Sequence, residues 1–124
     1  MRIFKLDEAN ALLPMLGPKL QRTSELYKKA EEFRDQASAA ASASQFGGGM
    51  LGGSVYIRTL YEIGKLTTEI AVTGAQLKDY RTGLIDFPSV RDGRLVLLCW
   101  KPEDGDEIAW WHEMDAGFAG RQPI

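Results

Sequence analysis

Five glycines in seven positions, Gly47–Gly49 and Gly52–Gly53, separate two stretches that share one pattern. Glycine enters conformations closed to other residues at little cost, so such a run does not hold a helix or a strand. Before it, Leu16, Leu20, Thr23, Tyr27, Ala30, Phe33 and Ala37 recur every three or four residues. After it, Tyr56, Leu60, Ile63, Thr67, Ile70, Gly74 and Leu77 do the same. Each series is one stripe of an amphipathic helix. Two such helices joined by a pliant link predict an antiparallel αα-hairpin, with a flexible Ala/Ser/Gly connector at about 38–53.

The flanks supply strands. Arg2–Leu6 alternates polar and apolar residues and predicts a short N-terminal strand that pairs at a sheet edge. Asp7 is the expected N-cap of the first helix, with Glu8 favoured in its first turn. Pro14 and Pro18 each remove an N–H and crowd the preceding turn, so a kink or break is expected near Leu13–Gly17. Beyond Gly74, Leu77–Asp79 reads as extended and Asp79–Gly83 as a turn. Leu84–Phe87 reads as a strand closed by Pro88. Asp92-Gly93 between extended runs is a strong hairpin signal. Strands at Arg94–Trp100 and Glu107–Trp111, joined by the loop Lys101–Asp106, complete the set. The fold class is α+β: a long antiparallel helical hairpin packed on a small antiparallel β-sheet that includes the N-terminal strand, all in a single domain over 1–124.

Composition removes several function classes. Fifteen basic against seventeen acidic residues give a net charge of −2, where a dedicated nucleic-acid binder is usually basic on one face. Arg81, Arg91, Arg94 and Arg121 are the only candidates for such a patch, and the overall acidity argues against it. No apolar run approaches the roughly 20 residues that span a bilayer, and Arg2 and Lys5 interrupt any signal-peptide core. The single cysteine, Cys99, forms no internal disulfide and lies mid-run in an apolar strand, as a buried thiol does. A cytoplasmic protein is expected.

Four segments carry a family likeness: Ala9-Asn10-Ala11-Leu12-Leu13-Pro14, Thr82-Gly83-Leu84-Ile85-Asp86-Phe87-Pro88, Leu98-Cys99-Trp100, and Trp111 through Pro123. Together they resemble the bacterial domain-of-unknown-function family 2203 over essentially the whole chain. The resemblance implies a small bacterial protein and attaches no activity to it. Members of that family often have Ser or Thr where this chain has Lys5, which with Glu8 would form a capping box.

Candidate chemistry gathers near the C-terminus, which holds all three tryptophans and the only histidine. His112, Glu113 and Asp115 offer an imidazole and two carboxylates within four residues, to which Glu62 or Glu69 of the second helix could add ligands for a single divalent transition metal. Glu25 and Glu32 of the first helix form a similar pair, but one histidine on no helix does not supply the two Glu-x-x-His motifs of a di-iron bundle. Equally open is a structural reading, with the glutamates on solvated helix faces and His112 hydrogen-bonded at a strand end. Gly117, Gly120 and Arg121 could bind an anion through backbone N–H groups and a guanidinium. They could equally be a strap in which the glycines permit close approach, Phe118 plugs a gap and Arg121 pairs with Asp115 or Asp86. Cys99 has no activating base that strand alternation identifies. Trp110 and Trp111 are adjacent and must point to opposite faces, so one needs cover from the tail, a helix or a second subunit.

Two functional readings follow. The first is an interaction or structural protein that forms a homodimer by pairing two helical hairpins. The second is a metal- or small-ligand-binding protein with a site near His112–Arg121, in which a metal would act as Lewis acid or water activator. No substrate follows from the residues.

Overall fold

A computed structural model describes residues 1–43 and 53–124, with side chains over 1–36 and 53–124. The connector expected at about 38–53 lies largely outside these residues; its first part, through Ala43, continues the first helix. Helix α1 spans Leu6–Ala43 and α2 spans Gly53–Ala71. They are followed by β1 (Gln76–Asp79), β2 (Leu84–Arg91), β3 (Arg94–Trp100), β4 (Trp110–Glu113) and β5 (Gln122–Pro123). The strands form one antiparallel sheet in the order β1-β2-β3-β4-β5, each beside its neighbour in sequence. The chain is thus α+β, as its periodicities predict.

The helices run antiparallel, since Lys19 meets Glu69, Arg22 meets Glu62 and Phe33 meets Tyr56. Helix α1 starts earlier than an Asp7 cap would set it. Lys5 donates its backbone N–H to Glu8 Oε1 at 2.9 Å, the half of a capping box that needs no hydroxyl, while Asp7 Oδ1 accepts only from the next residue, Glu8. No break occurs at Pro14 or Pro18, which both lie inside α1. Ala9, Leu13, Leu16 and Leu20 are buried around them, and that packing outweighs two lost helical hydrogen bonds of about 1 kcal/mol each.

The N-terminal strand is not formed; the first strand begins at residue 76. A single parallel bridge, Phe4 to Ser89, stands in its place. Phe4 donates its N–H to Pro88 O at 2.7 Å, and Ser89 Oγ donates to Phe4 O at 2.6 Å. Pro88 does not end its strand either, because β2 continues to Arg91. In an extended residue N–H and C=O point to the same side, so the nitrogen of Pro88 faces Phe4 and not β3, and no ladder bond is lost. The β2–β3 hairpin turns on Asp92 (φ 53°) and Gly93 (φ 77°), the two left-handed residues of a type I′ turn.

The last full strand lies later than Glu107–Trp111. Asn10 Oδ1 accepts the Ile108 N–H at 2.7 Å and the Ile108 side chain is buried, so this stretch is held to α1, and pairing with β3 begins at Trp110. Register then sorts the side chains. Ile85 and Trp100 face the helices, as do Phe87, Leu98 and Trp111 across three strands. Asp86, Cys99 and Trp110 align on the opposite, outer face, next to the row Pro88, Leu97 and His112. No helix among the described residues is long and apolar enough to cross a membrane.

Candidate functional site

The outer face is roofed by the segment after β4. Gly117 turns at φ 64°, a short 3-10 turn covers Phe118–Gly120, and β5 returns antiparallel to β4. Gly120 has no room for a side chain, since a Cβ there would lie 2.6 Å from Ala116 Cβ. The roof is pinned by Arg121, whose Nη2 donates to Asp104 Oδ2 at 2.6 Å while its guanidinium lies 4.9 Å from the Trp110 ring and 4.8 Å from Phe118. Trp110 is therefore the outward tryptophan, and the tail covers it.

Three reactive side chains lie beneath: Asp86 of β2, Cys99 of β3 and His112 of β4, exposed by 3%, 0% and 2%. Their ligand atoms all lie within 4.8 Å of one another. His112 Nδ1 is 2.8 Å from Glu113 O, and a carbonyl only accepts, so the proton sits on Nδ1 and Nε2 is turned toward the group. Nε2 lies 3.1 Å from Asp86 Oδ1, a contact that in the metal-free protein holds one more proton between the two atoms, which a cation would displace. Burial pushes the Cys99 thiol up to about 12, and the Asp86 carboxylate pushes in the same direction.

This arrangement is poor for nucleophilic catalysis. The thiol holds its proton far above neutrality, and His112 commits its second nitrogen to a backbone carbonyl, which leaves no imidazole relay between thiol and carboxylate. It does fit cation coordination. Oxygen, sulfur and imidazole nitrogen are ligands of zinc and its first-row neighbours, and an imidazole whose distal N–H is fixed on a carbonyl is the usual outer support of such ligands. Tetrahedral ligand atoms around zinc lie about 3.5 Å apart, so side-chain shifts of about 1 Å would close the set.

Of the residues singled out by sequence, His112 alone joins this group. Glu113 pairs with Arg94, which holds its carboxyl below the usual range, and only its backbone carbonyl serves the site. Asp115 is exposed on the turn after β4. Glu62 and Glu69 clasp α2 to α1 through Arg22 at 3.0 Å and Lys19 at 2.7 Å, and are not gathered at His112. Gly117 and Gly120 shape the roof, and Arg121 pairs with Asp104 instead of Asp115 or Asp86. Phe118 stays half-exposed at 48% and packs on Arg121.

The sequence offers Asp86 only as an alternative partner for Arg121, although a carboxylate inside an apolar strand is itself a signal. The two-residue turn at Asp92-Gly93 fixes Arg91 opposite Arg94, and counting back along both strands brings Asp86 opposite Cys99. Alternation along one strand identifies no base for Cys99, whereas the pairing of β3 with β4 brings His112 onto the same face.

Over residues 2–124 the chain matches the family described as "Uncharacterized conserved protein (DUF2203)". No curated protein and no solved structure matches it.

Proposed function

We propose that this chain, which belongs to the DUF2203 family, is a metal-binding protein that takes one divalent transition-metal cation between Asp86, Cys99 and His112. The observation that carries the reading is the convergence of three chemically different donors from three adjacent strands, all buried and within 4.8 Å of one another. A carboxylate, a thiol and an imidazole with its tautomer already fixed make a three-ligand set, which leaves a tetrahedral cation one open position. A cation bound there would draw the proton from Cys99 and serve as a Lewis acid or water activator. A single protonated thiol suits a reducing compartment, and we place the protein in the cytoplasm. The test is cobalt(II) titration of chelator-stripped protein. A near-ultraviolet thiolate-to-cobalt band that saturates at one equivalent and disappears in Cys99→Ala is expected. No band, together with no zinc uptake by calorimetry, would reject the reading.

A second reading, homodimer formation, is supported by the outward face of α2. Ile57 is 67% exposed, Leu60 45% and Tyr61 76%, and nothing lies within 4 Å of the position a Cβ would take at Gly64. Two such faces pairing would bury these side chains in a four-helix arrangement. Light scattering after size exclusion decides it: a monomer at micromolar concentration would end this reading.

A further inference from the structure

Resting on the metal reading above, we propose that the open coordination position faces a small-oxyanion site completed by Lys78. A cavity of about 210 Å³ adjoins the cluster. Asp86, His112 and Lys78 supply its polar lining, and Leu84, Leu97 and Phe118 its apolar walls. Cys99 does not line it, so the cavity approaches the cluster from the side of the other two ligands, where a fourth ligand would enter.

Lys78 reaches that face by strand alternation, since Leu77 packs on the helix side, and the sheet is irregular at this residue. The β1–β2 register runs from Leu77 opposite Ile85 to Asp79 opposite Leu84, which makes Lys78 the extra residue of a bulge. Bulges re-aim a side chain, and they recur beside functional sites. Among the described residues no carboxylate pairs with its ammonium group, whereas Lys19 and Lys101 both have acidic partners.

Charge and size define the ligand. A dipositive cation with a thiolate, a carboxylate and a neutral imidazole carries no net charge, so Lys78 leaves the cavity positive by one. An anion with two oxygens can place one on the metal and one on the ammonium. Pockets for drug-sized ligands run from about 300 Å³ upward, so this smaller cavity suits an anion of a few heavy atoms, a small carboxylate or inorganic phosphate.

The experiment uses the cobalt(II)-loaded full chain, titrated separately with acetate and with inorganic phosphate while the visible cobalt spectrum is followed. A saturable change with at least one anion is expected, and the arm that responds identifies the oxyanion. Lys78→Met should keep the cobalt spectrum of the unmodified protein and weaken anion binding roughly tenfold or more, the loss of one charge-assisted hydrogen bond. A cobalt spectrum that neither anion alters, or equal anion affinity in Lys78→Met, would overturn the oxyanion site and leave the metal reading intact. Failure to form the cobalt complex at all would instead overturn the metal reading, and this inference with it.

Discussion

Asp86 on β2 stands directly opposite Cys99 on β3, and both side chains point away from the helices that cover the other face of the sheet. An antiparallel sheet with one open side normally presents polar residues there to water. Here the tail covers part of that side, and a carboxylate and a thiol are left buried with His112 as their neighbour.

Removing His112 tests how far that group depends on its members. In metal-free His112→Ala, Asp86 loses the Nε2 contact and remains buried, a cost of about 1–3 kcal/mol. Urea denaturation should show this loss. Zinc at about 100 times its dissociation constant should stabilise the unmodified protein by about 2.7 kcal/mol and leave the variant unaffected. Equal stabilisation of both would place the ion elsewhere.

Cys99 should be inert in the folded, metal-free protein. Its thiol is buried and pushed up to about 12. A disulfide reagent at about pH 8, where an ordinary thiol is already partly ionised, should modify it only in denaturant. Modification without unfolding, at the rate of a free thiol, would mean that the roof opens readily.

Acid should loosen the helical hairpin at a defined point. Lys19 holds the Glu69 carboxyl below the usual glutamate range through a hydrogen bond and its charge. A carboxylate lowered in the folded state stabilises above its unfolded pKa, and that contribution disappears as pH falls through the lowered value. Between about pH 6 and pH 3, the fall in urea midpoint should therefore be shallower in Lys19→Met than in the unmodified chain. Parallel curves would show that the ion pair contributes nothing.

Gly120→Ala should lift the roof. The new methyl group would meet Ala116 Cβ at 2.6 Å, so the tail must move, at a cost of about 1–3 kcal/mol for an overpacked site. Trp110 fluorescence should shift to the red as Arg121 leaves its ring. An unchanged emission maximum with unchanged stability would show that Ala116 yields instead.

Tyr61→Asp separates association from folding. Tyr61 is 76% exposed on α2, so a charge there should leave the stability of the single chain almost unaltered. On the pairing proposed for this face, light scattering should then report a shift from dimer to monomer. A dimer that survives the substitution would assign pairing to another surface.

The helical hairpin, the Asp92-Gly93 turn and the strand Arg94–Trp100 were legible because each rests on a local period or a local turn residue. What escaped depends on contacts distant in sequence. The continuity of α1 through Pro14 and Pro18 follows from burial against the sheet, which outranks the local penalty of proline. The start of β4 depends on Asn10 capturing the Ile108 N–H from 98 residues away. The cluster at Asp86, Cys99 and His112 requires the register of three strands at once, and a one-residue error in any of them turns its member to the other face. Locally His112 stands out as the sole histidine beside two carboxylates, Glu113 and Asp115; its partners in space are visible once the strands are aligned.

The junction of Phe4 with Pro88 has a consequence for solubility. Strand β2 runs beyond the end of β1, and an uncovered stretch of strand margin is a template on which a foreign chain can pair and start a fibril. Here Pro88 offers no donor, its carbonyl is already taken by the Phe4 N–H, and the Ser89 hydroxyl donates to the carbonyl of Phe4. The N-terminal residues contribute one bridge and no strand, and that bridge occupies the margin of β2 at Pro88 and Ser89, where a foreign strand would otherwise begin to pair.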